Sequence, residues 1–290
     1  MSRLTSFSYT AHLGFRTAND PLFRESVKGH DPWDHVAFAA EHGFAGMLYP
    51  LAISRPEEEV ARYAAAIDRF DLRSSATLFA DIDLVLQPHW SAADGWSLYS
   101  AAFDKAFALA ERLRSNLLAV LLRNDPSKPR DVQEAAAIDN LRRAGDAALK
   151  KGMTLGIEPM NAFPDMLLAT TEEAVSLVRR VDHPAVKLIF DIGFSYLMDE
   201  DPYQAYRIAA PHIGLLQIAD MPGRSEMGSG SIDIYRILQE HQASGYGGSM
   251  IDLEHGWSRW SIDLETSMIE NLHKMDAQLR APACGRGARA

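Results

Sequence analysis

Short, β-rich apolar runs alternate with longer stretches of helical periodicity along the whole chain, and no other feature restricts its fold so tightly. Eight runs read as strands, at residues 7–14, 44–49, 72–79, 117–122, 153–158, 186–191, 213–219 and 249–254. Most are nearly continuous in apolar side chains, the pattern of parallel strands covered on both faces. The segments between them carry single apolar stripes: Tyr99, Phe103, Ala106, Ala110 and Leu113; Ala137, Leu141, Ala144 and Ala148; Leu264, Met268, Leu272, Met275 and Leu279. Asp31-Pro32 and Ser54 read as helix starts, and Gly43, Gly152 and Gly245 as helix stops. With no linker or low-complexity stretch, the pattern predicts an α/β fold, a single (β/α)8 TIM barrel over residues 1–279, and a flexible tail over 280–290.

Composition narrows the function. The net charge of -10 argues against a nucleic-acid surface, which needs clustered Lys and Arg to displace counterions. The longest strongly apolar run, 117–122, is too short to span a bilayer, and the N-terminal segment lacks the apolar core of a signal peptide. A cytoplasmic protein without nucleic-acid or membrane partners is expected. The single cysteine, Cys284, excludes an intramolecular disulfide and a thiolate metal cluster.

Parallel barrels keep their chemistry at the C-terminal ends of the strands. Four successive late strands each place a ligand-capable side chain there: Glu158 in GIEPMN, Asp191 in LIFDIG, Gln217 in LLQIAD and Glu254 in MIDLEH. Carboxylates crowded out of water raise one another's pKa or recruit a cation. An all-oxygen set selects a hard or borderline divalent ion, Mn2+, Mg2+ or Co2+, with Zn2+ also compatible. Arg224, in the loop after the seventh strand, suits a substrate carboxylate or vicinal oxygens.

The spacing of these four residues, with IEPMN, FDIG, QIADMPGR and GYGG, resembles the xylose isomerase-like barrel superfamily, and within it the hydroxypyruvate isomerase family. That family's strand-seven segment typically reads QIADxPGRHEPGTGEI; here it is QIADMPGRSEMGSGSI. The resemblance implies a divalent metal held by Glu158, Asp191, Gln217 and Glu254, a hydroxy-carbonyl substrate on the same ion, and Glu158 and Glu254 as the acid/base pair. It also implies a homodimer or homotetramer. The expected activity is isomerisation or epimerisation of a small sugar, keto-sugar or hydroxy-keto acid through an enediolate. Elimination from a 3-keto-glycoside, or sugar binding without catalysis, are the alternatives.

The substrate shell departs from the family. Phe194 stands where many relatives have histidine, Ser225 and Ser231 replace a histidine and a glutamate, and Met47 and Tyr49 end the second strand where relatives often carry a glutamate. These changes predict a more apolar pocket, with Trp90, Phe194, Trp257 and Trp260 as candidate walls. His255, His12 or His89 could replace the lost histidine, although His255 and Glu254, as strand neighbours, point to opposite faces. The glycines at 228 and 230 would let backbone amides approach a substrate, and Glu57-Glu58-Glu59 reads as an acidic first helical turn.

Overall fold

The computed structural model of the chain describes residues 3–15, 20–161, 163, 165–247 and 249–280. Nine parallel strands form one sheet: β1 (Ser8–His12), β2 (Gly46–Leu48), β3 (Arg73–Ser74), β4 (Thr77–Leu78), β5 (Leu117–Val120), β6 (Thr154–Ile157), β7 (Val186–Asp191), β8 (Ile213–Ile218) and β9 (Met250–Leu253). Their order is β3-β2-β1-β9-β8-β7-β6-β5-β4. The two ends of this sheet, β3 and β4, are separated in sequence only by Ser75 and Ala76, so the chain itself completes the ring. The third predicted strand is thus two: β3 pairs with β2, and β4 pairs with β5. The Ser75 amide still donates to Met47 on the β2 side at 2.9 Å, after which the ladder changes partner.

Outer helices follow the strands, among them Pro32–Glu41, Glu57–Phe70, Gly95–Arg112, Arg130–Lys150 and Ile262–Arg280. Their predicted stripes face inward: Tyr99, Phe103, Ala106, Ala110, Ala137, Leu141, Ala144 and Ala148 are completely buried. Each large apolar side chain so buried contributes about 1.5–3 kcal/mol. Asp31 caps its helix, accepting from the Trp33 amide at 2.9 Å with Pro32 in the first turn. Ser54 does not cap the next one. It lies inside the 3-10 turn Pro50–Ser54, and Pro56 occupies the cap position. Gly43, Gly152 and Gly245 take positive φ, as the stops require. Arg280, assigned to the tail by sequence, is instead the last residue of the final helix; 281–290 lie outside the described residues.

Candidate active site

A polar row crosses four adjacent strands of this barrel. Asp191 on β7 is in register with Gln217 on β8, Gln217 with Asp252 on β9, and Asp252 with Thr10 on β1. Side chains alternate along a strand, so Glu254 shares the face of Asp252 and lies about 7 Å nearer the C-terminal mouth. Oxygens of Glu158, Asp191 and Glu254 all fall within 4.8 Å of one another.

Local structure fixes each member of this cluster. Asp191 ends β7 and caps the short helix Ile192–Leu197; its Oδ1 accepts the amides of Gly193 at 2.7 Å and Phe194 at 3.3 Å. Its Oδ2 is thereby turned to Arg224, whose Nη2 lies 2.5 Å from it and 3.4 Å from Glu254 Oε1. Arg224 is buried, and its guanidinium lies over the ring of Phe194, 4.6 Å away, and over that of Phe15, 5.1 Å away. Gly193 makes room for it: a Cβ there would come within 3.1 Å of Arg224 Nη1.

The loop carrying Arg224 is built around a buried carboxylate. Asp220 accepts amides from Met221, Gly228 and Gly230 at 2.9 Å each and from Ile232 at 3.0 Å. The glycine-rich stretch therefore serves an internal aspartate, and a Cβ at Gly230 would meet Asp220 Oδ1 at 2.5 Å. Arg224 itself takes φ 48°, a left-handed conformation that a non-glycine residue adopts only when its surroundings hold it. Its carbonyl accepts the Gly256 amide at 2.9 Å, and Glu226 accepts the Ser258 amide at 2.9 Å, tying this loop to the one after β9.

The crowded carboxylates shift one another. Burial, and then the charge of Asp191, push Glu158 up to about 8 against the pull of Arg224. Burial also raises Glu254 well above the usual carboxylate range; Arg224 opposes this, and Glu158 and Asp191 add to it. Gln217 donates from Nε2 to Asp252 Oδ2 at 3.2 Å, while its Oε1 is buried without a donor, as is Glu254 Oε2. Lone acceptors beside clustered carboxylates fit a hard divalent cation, which needs oxygen ligands and supplies the missing positive charge.

The sequence profile described as Xylose isomerase-like TIM barrel matches residues 36–278. The chain belongs to that family. It is 30% identical over 125 residues to the 2-oxo-tetronate isomerase of Pectobacterium atrosepticum, covering 42% of this chain and 48% of that one. It is 32% identical over 119 residues to the hydroxypyruvate isomerase of Escherichia coli, covering 39% and 46%. The chain thus spans about half the length of these curated relatives. Its fold is similar to a solved AP endonuclease, family 2, from Brucella melitensis, with TM-score 0.71 at 22% identity over 87% of this chain and 93% of that one. It is also similar to D-psicose 3-epimerase from Clostridium cellulolyticum H10, with TM-score 0.65 at 18% identity over 86% and 90%.

Within this xylose isomerase-like barrel the other candidates sort differently. His255 Nδ1 lies 2.6 Å from the Gly256 carbonyl, its ring meets Trp257 edge-on, and burial lowers it to about 4. His12 bonds the His255 carbonyl through Nε2 at 2.9 Å and accepts the Gly14 amide through Nδ1 at 3.0 Å; burial lowers it to about 3. Burial thus favours the neutral form of both rings, and His255 Nε2 is buried without a partner. Trp257 spends its indole N–H on the Leu22 carbonyl at 2.8 Å. Trp90 is core rather than wall, completely buried among Phe79, Tyr99 and Phe103. Trp260 lies under the Arg24 guanidinium. Glu59 does more than acidify a helix start: it accepts from the Tyr49 hydroxyl and from Arg55 at the end of β2.

Sequence reading passed over Asp252, Asp220 and Phe15. Asp252 was legible in MIDLEH as a second acid on the inner face, two residues before Glu254. No sequence signal singled out Phe15.

Proposed function

We propose that this chain is a metal-dependent isomerase or epimerase of a small sugar, keto-sugar or hydroxy-keto acid, moving a proton at the carbon beside a carbonyl. One observation carries the reading: three carboxylates within 4.8 Å, adjoining a buried amide oxygen that no donor reaches. Relatives named hydroxypyruvate isomerase, 2-oxo-tetronate isomerase and D-psicose 3-epimerase support the substrate class.

Glu158, Asp191, Gln217 and Glu254 would hold the ion, Mn2+, Mg2+ or Co2+, with Zn2+ also compatible. When bound, a divalent cation supplies a Lewis acid that polarises the carbonyl and stabilises charge developing on its oxygen. Glu158, half-buried, takes the α-proton. Glu254, on another strand of the same cluster, exchanges the second proton. Arg224 meets a substrate carboxylate or hydroxyl with Nη1, which has no protein acceptor. The rings of Phe15 and Phe194 lie against the guanidinium.

The test is turnover of hydroxypyruvate, 2-oxo-tetronate and D-psicose in D2O by the Mn2+-loaded chain. Interconversion with deuterium entering at the α-carbon, abolished in Glu158→Gln, is expected. Absence of turnover on all three, or full activity in Glu158→Gln, would overturn the reading. The apolar wall of Phe15 and Phe194 favours one second reading, elimination from a 3-keto-glycoside by the same proton abstraction; a released aglycone identifies it.

A further inference from the structure

Asp252 is completely buried on β9, and no basic side chain pairs with it among the described residues. An unpaired carboxylate in a barrel interior is costly, and its persistence asks for a role. Its oxygens accept from two side chains in register with it: the Thr10 hydroxyl donates to Oδ1, and Gln217 Nε2 donates to Oδ2 at 3.2 Å. Gln217 meets this carboxylate with its amide nitrogen, so the nitrogen and not the oxygen faces Asp252. The oxygen is then turned away from Asp252, and it is the buried acceptor left without a donor.

We propose that Asp252 is a positioning residue that fixes the Gln217 amide with its oxygen presented to the metal site formed with Glu158, Asp191 and Glu254. The inference rests on the metal reading above and goes beyond it by naming what makes a neutral, two-faced amide a reliable ligand. Asp252 is the partner that distinguishes the two ends of this amide among the described residues, and an NH2 group turned to the site in place of the oxygen would repel a cation. Thr10 completes the device by engaging Oδ1 and leaving Oδ2 for the amide.

The test measures Mn2+ binding to the full chain by calorimetry, in wild type, Asp252→Leu, Gln217→Glu and the double variant. Leucine keeps the branched shape and removes both acceptors, whereas asparagine would still accept from the Gln217 amide. A glutamate side chain at 217 has two equivalent oxygens and needs no orienting partner. Asp252→Leu should weaken Mn2+ binding about 10–100-fold when Gln217 is intact, the usual cost of losing a partner that orients a ligand. In the Gln217→Glu background the same substitution should change it by less than about threefold, or strengthen it, because no amide remains to be oriented. Equal losses in both backgrounds would overturn the proposal, since Asp252 would then act through its charge or the fold. Wild-type affinity retained in Asp252→Leu would overturn it while leaving the metal reading intact. Failure of the wild type to bind Mn2+ at all would overturn the metal reading, and this one with it. Thr10→Val gives a second route should Asp252→Leu not fold: a loss of binding with Gln217 intact but not in the Gln217→Glu background supports the proposal, and any other outcome opposes it.

Discussion

The two sides of this barrel spend their interior differently. Around β4 and β5 the strands adjoin an aromatic stack in which Phe79 meets Phe103, Tyr99 and Trp90 at 4.8–5.6 Å, and the polar side chains buried beside it, Thr77, Ser91 and Asn140, are uncharged. From β6 round to β1 the interior carries Glu158, Asp191, Gln217, Asp252, Glu254 and Thr10, with the Arg224 guanidinium set among the carboxylates. The first side gains stability from apolar burial. The second gives stability up, crowding like charges in a low-dielectric interior, and such concessions belong to sites of chemistry.

The largest expected contrast is in turnover. Glu158→Gln should lower kcat by about 10²–10⁴, the usual contribution of a positioned acid/base group, with the fold kept. Trp90→Phe, on the aromatic side, should leave kcat and KM unchanged and shift only the melting temperature. The lost indole N–H has no partner, so little hydrogen bonding goes with it. Steady-state kinetics and thermal unfolding on both variants decide this. Comparable kinetic losses in the two would erase the distinction between the sides.

Arg224 sharpens the same comparison in stability. In metal-free protein it is the cation of the cluster; burial tends to lower its pKa, but Asp191 and Glu254 hold it above the usual value. Arg224→Met should cost the metal-free protein about 3–5 kcal/mol, the penalty for leaving buried charges unpaired. Adding Mn2+ should recover much of this by replacing the missing charge. Chemical denaturation with EDTA and with Mn2+ measures both, and a loss that Mn2+ leaves untouched would mean that Arg224 supports the loop rather than the charge.

Protonation offers a subtler contrast. Glu158 has an ordinary carboxylate pKa of 4.5 when unfolded and about 8 in the fold, where Asp191, Glu254, Asp252 and Arg224 surround it. A raised folded pKa means that the native state holds the proton more tightly. The associated stability is complete below 4.5 and is lost as pH rises towards about 8. Metal-free protein should therefore lose stability across that window. Mn2+ binding at pH 7 should release about one to two protons, since Glu254 is raised as well, read from calorimetry in buffers of different ionisation enthalpy. Absence of proton release would place Glu158 already ionised, or outside the ligand set.

Much of this was written in local sequence. Parallel strands buried on both faces must be continuously apolar, so residues 117–122 and 186–191 announce themselves, and a polar residue that ends such a run, as Asp191 and Glu254 do, stands out. The split of the third strand at Ser75 was not legible, because it depends on which neighbour the ladder can reach. Asp252 was absorbed into an apolar run that its strand alternation should have separated. The burial of Arg224 was out of reach. It follows from the Asp220 carboxylate gathering four amides, a left-handed φ at Arg224 and the missing Cβ of Gly193, three facts of tertiary structure that no single motif records.

The smallest expected effect lies where the apolar and polar sides meet. Phe194 borders the carboxylate cluster and offers its ring face to Arg224 at 4.6 Å. A buried cation over an aromatic face gains about 0.5–2 kcal/mol, so Phe194→Leu should loosen the guanidinium without unfolding the loop, which Asp220 holds independently. If Arg224 binds substrate in both ground and transition states, the loss falls on KM, which should rise about 2–30-fold while kcat stays within about twofold. If kcat falls instead, the ring is holding Arg224 for the transition state, and Phe194 belongs to the chemistry rather than to the pocket wall. Phe194→Tyr, which keeps the ring face, should restore wild-type KM in the first case and kcat in the second.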